Sequence, residues 1–367
     1  MRNIFSKDNY YSLKNILQYQ ATYNVIFGER SNGKTYAVLK HGVEQWLQGK
    51  GQIGIIRRWQ EDIRGMRASN IFSGLIANNE IYKLSKGEYS GVYYYSGKFY
   101  MCNYDEKNNP LYNDSDLLGY TFALSDTEHN KSITYPDITT VLFDEFITRG
   151  VYFQDEFVLF MNTISTIVRQ RTNVKIFMLG NTVNKYCPYF DEMGLKHISK
   201  MEQGTIDLYK YGDSRLTVAV EYCSNTAKTK KNNYYFAFDN PKLNMITTGA
   251  WELDIYPHLP VKYTPKDIQL IYFIIFDGNI FQCEIVQVGD MAFTYIHEKT
   301  TPIKNPDTDI IYTLEPNPKM NYNRSIFKPT SKVGNVIKSF FLTDKVFYQD
   351  NDVGDTVNNY LKVANSL

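Results

Sequence analysis

Apolar residues recur along the first half of the chain in two alternating rhythms. Tyr23–Phe27 (YNVIF) is a continuous apolar run closed by Gly28, the pattern of a strand buried on both faces. The segment TYAVLKHGVEQWLQ then places Ala37, Val38, the stem of His41, Trp46 and Leu47 near helical spacing, and Gly49 and Gly51 end it. Gln52–Ile56 reads as a second buried strand, and residues 61–78 as helical. Val92–Tyr95 and Lys98–Cys102 flank Ser96-Gly97, a two-residue hairpin signal. After a polar loop over 104–116, Gly119–Leu124 and Thr139–Phe143 predict further strands. Phe157, Phe160, Met161, Ile164, Ile167 and Val168 recur every three or four residues, which predicts an amphipathic helix over 155–168 capped by Asp155. Val174–Leu179 is the next strand. Strands alternating with helices over 20–180 predict an α/β domain with a mainly parallel sheet.

The rhythm changes after about residue 200. Leu216–Cys223 alternates like a half-exposed strand, and the polar, basic SNTAKTKKNN follows. A proline-punctuated stretch then leads to Ile268–Phe276, Asp277-Gly278-Asn279 and Ile280–Val288, a strong hairpin pattern. The expected division is an α/β domain over 1–225, a linker subdomain over 226–262 and a β-rich domain over 263–367.

Composition narrows this picture. At 367 residues, with 43% hydrophobic and 22% charged, the chain is long enough for two or three domains and is not a disordered one. Thirty-one Tyr and 22 Phe favour a large β content. A net charge of +1 excludes a generally basic nucleic-acid coat but leaves local basic patches open. Cys102, Cys187, Cys223 and Cys283 form no CxxC pair, so a zinc or disulfide framework is not expected and a reducing compartment is. The start MRNIFSKDNYYSLKN has no apolar signal core, and the longest apolar run, Leu270–Phe276, falls far short of the ~20 residues that span a bilayer. A soluble intracellular protein without a membrane partner is the expectation.

Candidate chemistry begins at Gly28-Glu29-Arg30-Ser31-Asn32-Gly33-Lys34-Thr35, which matches GxxxxGK[ST] between a strand and a helix. Such a turn aims its backbone N–H groups at phosphate oxygens. Lys34 would reach the β- and γ-phosphates of ATP, and Thr35 would ligate Mg²⁺. A glycine-bearing turn with an incidental lysine is the bland alternative, and the flanking strand and helix argue against it. Thr140–Phe143 runs into Asp144-Glu145. Asp144 suits the Mg²⁺ ion and Glu145 the attacking water, a pairing that marks P-loop ATPases carrying a catalytic glutamate. Alone, the pair could be a strand entering a solvated turn; with the loop it points to ATP hydrolysis.

Other residues stay two-sided. Arg169 and Arg171 either complement a helix C-terminus or supply an arginine finger. Asn181 either contacts the γ-phosphate and water or forms an Asx turn. Arg30 lies within the loop itself. Arg57, Arg58, Arg64 and Arg67, and the run Lys228, Lys230 and Lys231, are DNA-phosphate candidates or simply solvated faces.

Four pieces, in order over residues 20–190, resemble the DNA-packaging ATPases of small tailed phages of the phi-29 type, distant relatives of large terminase subunits. They are Gly28-Glu29-Arg30 to Gly33-Lys34-Thr35, and Ile55-Ile56-Arg57-Arg58. Next comes Lys131-Ser132 with Tyr135-Pro136 ahead of Val141-Leu142-Phe143-Asp144-Glu145-Phe146-Ile147. Last, Ile167-Val168-Arg169-Gln170-Arg171 leads to Gly180-Asn181 and Cys187-Pro188-Tyr189-Phe190. The resemblance implies the additional-strand, catalytic-glutamate class of P-loop ATPase, followed by an RNase H-like domain. It implies a ring of five subunits that hydrolyses ATP at the portal of an empty capsid in the host cytoplasm and drives in double-stranded DNA. It makes Arg169 a finger acting in trans and Lys131 a nucleotide-site or interface residue. Some relatives dock through a structural RNA, a partner left open here. Ile268–Phe276 holds no acid and Asp277 sits in the turn, so a nuclease-inactive domain for docking and DNA contact is expected. Competing readings are a terminase with an active nuclease, another P-loop DNA motor (helicase-like or DNA-transfer), and an assembly protein. Glu145 argues against the last.

Overall fold

The alternating rhythm of the first half builds one ten-stranded sheet. In this computed structural model the described residues are 11–30, 32–126, 133–148, 152–153, 155–182, 187–223 and 256–366. The chain divides into two units, Met1–Trp251 and Glu252–Leu367. The sequence-defined linker, 226–262, lies outside the described residues up to 255.

In the first unit the strands are β1 (Tyr23–Gly28), β2 (Gln52–Arg57), β3 (Gly91–Tyr95), β4 (Lys98–Tyr104), β5 (Pro110–Leu111), β6 (Leu117–Ala123), β7 (Ile138–Asp144), β8 (Lys175–Asn181), β9 (Thr205–Lys210) and β10 (Thr217–Tyr222). They lie in the order β3-β4-β6-β2-β7-β8-β1-β10-β9, with β5 beside β4. From β6 to β10 every neighbour is parallel. The outer strands are antiparallel. One strand, β8, separates β1 from β7. The loop after β1 and the acids ending β7 therefore open on the same edge of the sheet, where α/β proteins bind ligands.

Helices α1 (Lys14–Leu17), α2 (Lys34–Leu47), α3 (Gly65–Ser69), α4 (Ser73–Ala77), α5 (Glu80–Leu84), α6 (Glu156–Val168) and α7 (Pro188–Glu192) accompany the sheet. Strand period decides what each side buries. Val25 and Phe27 of β1 join α6 residues Phe160, Ile164 and Ile167 in one core cluster. Ile26, between them, joins Val38, Leu39 and Val43 of α2 in the other. A central sheet with apolar contacts on both faces explains why β1 and β7 carry apolar residues without strict alternation.

Three local expectations are refined. The hairpin at 96–97 forms with both residues in the left-handed region, Ser96 at φ 48° and Gly97 at φ 82°. That is the I′-type twist matching paired strands. Residues 61–78 are not one helix: a 3₁₀ turn at Gln60–Ile63 is followed by α3 and α4, and extended Arg64 (φ −123°) separates the turn from α3. Ile63, Ala68, Phe72 and Leu75 are all buried, so the short pieces bend to keep them inside. Asp155 stands at the start of α6 without a side-chain cap, its φ at 52°. Glu156, the first residue of α6, accepts the Phe153 N–H on Oε2 at 2.9 Å, tying the helix start to the chain ahead of it.

The second unit carries β11 (Ile268–Phe276), β12 (Asn279–Val288), β13 (Met291–Glu298), β14 (Ile310–Thr313), β15 (Tyr322–Asn323) and β16 (Val346–Tyr348), with helices Lys332–Leu342 and Asn351–Ser366. Their order is β15-β14-β11-β12-β13-β16. β11, β12 and β13 form an antiparallel meander, and β14 runs parallel beside β11. Tyr272, Phe276, Tyr312 and Tyr360 pack edge to face within it. Among the described residues no helix is long and apolar enough to cross a membrane.

Candidate nucleotide site

The loop between β1 and α2 encloses one side of a cavity of about 510 Å³. Gly28 and Gly33 take positive φ values of 149° and 92°, backbone that side chains rarely adopt. Gly28 has a second reason to be glycine. A Cβ there would lie 2.5 Å from Cys223 Sγ, at the end of β10. Asn32 donates from Nδ2 to the same sulfur at 3.0 Å, tying the loop to β10.

Lys34 is 6% exposed, and its ammonium folds into the loop. It donates to the carbonyl of Glu29 at 2.7 Å, to Asn32 Oδ1 at 3.2 Å and to Asn181 Oδ1 at 3.3 Å. Burial pushes this ammonium below the usual lysine range. An ammonium parked on neutral oxygens is set to exchange them for an anion. Asn181 ends β8 directly beside Gly28, so sheet register brings it to the lysine.

Across the cavity, Thr35 Oγ1 lies 3.2 Å from Asp144 Oδ1 and 3.1 Å from Asp144 Oδ2. Asp144 is buried, and that burial pushes its carboxyl above the ordinary value, with Arg57 working against the shift. A hydroxyl facing a carboxylate that lacks full charge compensation is a hard-oxygen pair of the kind Mg²⁺ takes. Among the described residues no cluster of His, Cys, Asp or Glu could hold a metal alone. A cation here would need further oxygens, which a triphosphate supplies.

Arg57 ends β2, next to β7, and reaches both acids. Its Nη2 lies 2.8 Å from Asp144 and its Nη1 3.0 Å from Glu145. Sequence reasoning missed this contact; its signal was an arginine ending a strand at the edge where the acids end theirs. Glu145 itself has φ 61°, and its side chain is 64% exposed. Arg30, Tyr36 and Asn181 also line the cavity. Glu29 is buried.

The remaining candidates separate. Ser31, Lys131, Lys228, Lys230 and Lys231 lie outside the described residues. Arg169 is exposed at the end of α6 with φ 45°, donates to the Ile133 carbonyl at 3.1 Å, and does not line the cavity. Arg171 is spent on structure, its guanidinium bridging carbonyls of Tyr135, Pro136, Ile138 and Ile167. Arg67 pairs with Asp62 at 2.8 Å on the surface, and Arg64 is exposed.

The chain as a whole has known relatives. A family model described as podovirus DNA encapsidation protein (Gp16) matches residues 5–353. The chain is similar to the DNA packaging protein of Bacillus phage phi29, 21% identical over 313 residues, covering 84% of this chain and 83% of the relative. It is 22% identical over 267 residues to the DNA packaging protein of Bacillus phage B103, covering 72% and 74%. In fold it is similar to a chain of the bacteriophage Phi-29 viral genome packaging motor assembly, at a TM-score of 0.57 and 19% identity over 97% of this chain and 99% of that one. The Phi-28 gp11 DNA packaging motor matches at a TM-score of 0.54 and 18% identity, over 97% and 98%.

Proposed function

This chain belongs to the podovirus DNA encapsidation protein (Gp16) family, and from that membership and the cavity's geometry we infer that it is a viral genome-packaging motor ATPase. The observation that carries the inference is the contact of Thr35 with Asp144 at 3.1 Å, which joins the phosphate-type loop to the acidic strand end in one cavity.

In the proposed reaction the amides of 28–35 receive the phosphates of ATP. Lys34 leaves the Glu29 carbonyl and Asn181 for the β- and γ-phosphates. Thr35 and Asp144 would hold Mg²⁺, which would supply positive charge against the phosphates. Glu145 accepts the proton of the attacking water. Its Oε2 is engaged by Arg57 in this structure, so the proton goes to Oε1, or to Oε2 once Arg57 lets go. Arg30 and Asn181 contact the γ-phosphate side. Arg169 acts in trans on a neighbouring subunit's nucleotide; its absence from its own cavity's lining supports this.

β8 lying between β1 and β7 supports the additional-strand class of P-loop ATPase. The meander of β11–β13 with parallel β14 supports an RNase H-like second domain. We take that domain as nuclease-inactive, since β11 (IQLIYFIIF) holds no acid. The proposed assembly is a ring, of five subunits, seated at the capsid portal in the host cytoplasm with double-stranded DNA in its pore. Arg64, Arg67 and the Lys228–Lys231 run are its proposed DNA contacts, Lys131 its nucleotide-site or interface lysine, and a structural RNA its possible scaffold.

Steady-state ATP turnover with and without double-stranded DNA tests this reading. Stimulation by DNA that weakens as salt rises is expected. ATP turnover that ignores DNA, alone and on assembled portals, would overturn it.

A further inference from the structure

Consecutive residues of an extended chain point to opposite sides, and Arg57, the last residue of β2, and Arg58, which follows it, use that fact. Arg57 grips carboxylates. Arg58 turns inward, its side chain 7% exposed, against the fully buried carboxylate of Glu156. Its Nε lies 3.1 and 2.9 Å from Glu156 Oε1 and Oε2, and its Nη2 2.9 Å from Oε1. The rest of the fork reaches main chain: Nη1 donates to the Glu145 carbonyl at 3.1 Å, and Nη2 to the Phe146 carbonyl at 2.8 Å. The guanidinium also sits over the Tyr152 ring, 5.1 Å from its centroid.

Glu156 is fixed in turn. Tyr189 OH donates to Oε1 at 2.8 Å and the Phe153 N–H to Oε2 at 2.9 Å. The clamp therefore has a rigid base in α6 and α7. What it holds is the turn where Glu145 takes φ 61°, a backbone that a glutamate adopts only when its surroundings impose it. That turn decides whether the carboxylate faces the cavity.

We propose that Arg58 is a positioning residue for hydrolysis: by holding the carbonyls of Glu145 and Phe146 against the buried Glu156, it fixes the left-handed turn that aims the Glu145 carboxylate at the attacking water. The proposal rests on the reading of Glu145 as the base. Arg58 does not line the cavity. It uses the fork geometry of a guanidinium, which an ammonium cannot reproduce.

The test is Arg58→Lys in the full-length protein, made alone and in a Glu145→Gln background. The charge facing Glu156 is kept while the fork is lost. ATP affinity is expected within ~3-fold of the parent, and kcat ~10–100-fold lower, because misplacing a reacting group by about an ångström costs that much. In the Glu145→Gln background the same change is expected to lower residual single-turnover hydrolysis by less than ~2-fold, since nothing is left to aim. A merely structural role would give equal losses in both backgrounds, which overturns the proposal, as does an unchanged kcat. Wild-type turnover by Glu145→Gln would refute the base itself, a separate failure that carries this proposal down with it. Should Arg58→Lys not fold, Tyr189→Phe loosens Glu156 without removing charge. It is expected to lower kcat ~3-fold at unchanged ATP affinity and to show the same dependence on Glu145; no change in kcat overturns the proposal there too.

Discussion

The Arg57 guanidinium lies 3.0 Å from the Glu145 carboxylate. The same group is 2.8 Å from Asp144, so one cation bridges both acids of the site. With Asp144 buried, removing that cation strands a charge. Arg57→Ala is expected to cost on the order of 3 kcal/mol, the scale for breaking a buried ion pair. Thermal denaturation reads this as a lower Tm, which Mg²⁺ with ATP should partly restore by supplying new positive charge. An unchanged Tm would mean the pair contributes nothing.

Arg169 and Arg171 should behave oppositely. Arg171 donates to carbonyls on two segments, so Arg171→Ala is expected to cost about 3 kcal/mol as those carbonyls lose their donors. Exposed Arg169, replaced by alanine, should shift stability by no more than ~0.5 kcal/mol while turnover is lost. If it acts in trans, mixing Arg169→Ala with Glu145→Gln subunits restores turnover, because each supplies the half the other lacks. A mixture as inactive as its components would contradict that placement.

This pair also shows what one sequence exposes. Both arginines read alike at a helix end, and only the carbonyls near residues 135–138 tell them apart. The phosphate-type loop, the apolar strands and the two hairpins were legible because each is a local pattern of period two, a turn or a spacing. Arg57 was not, because its partners sit 87 and 88 residues away and become neighbours only when β2 and β7 pair. The segment after Ile63 misled in the other direction. Its apolar spacing suits a helix, yet burying Ile63, Ala68, Phe72 and Leu75 takes short pieces. Asp155 looked like a cap by type, yet it stands at the N-cap position with no side-chain cap bond, and Glu156, one residue on, accepts an amide ahead of the helix.

Gly28 should tolerate no side chain. A Cβ would press on Cys223 Sγ at 2.5 Å and on its carbonyl at 3.1 Å, with φ at 149°. Gly28→Ala is expected to cost roughly 2 kcal/mol and to weaken ATP binding at least ~10-fold, since strain and overpacking both fall on the loop. Adding Cys223→Ala removes the sulfur but not the backbone strain, so only part of the affinity returns. Normal binding by Gly28→Ala, measured by nucleotide titration, would refute this packing.

The second unit has its own pH signature. His297 Nε2 lies 3.4 Å from Glu284 Oε1, and that carboxylate also accepts from Tyr263 OH at 2.6 Å. The hydrogen bond to Glu284 raises the His297 imidazole above its ordinary 6.5. Glu284 is held below its ordinary 4.5: burial opposes this, and its bonds to His297, Tyr263 and Gln282 outweigh it. A raised histidine stabilises fully below 6.5 and loses that contribution as pH rises through its folded value. A lowered glutamate stabilises above 4.5 and loses that contribution as pH falls through its folded value. Their joint contribution is therefore largest between 4.5 and 6.5. Tm against pH should show that window in the wild type and a flatter profile in His297→Gln; superimposable profiles would refute the coupling.

The most direct test of the account is ATP binding and single-turnover hydrolysis by Glu145→Gln beside the wild type. If Glu145 is the base in a cavity that Lys34, Thr35 and Asp144 complete, the variant binds ATP within ~3-fold of wild type and hydrolyses it at least ~100-fold more slowly. Hydrolysis at the wild-type rate would contradict the assignment and send the search for the base elsewhere in the cavity.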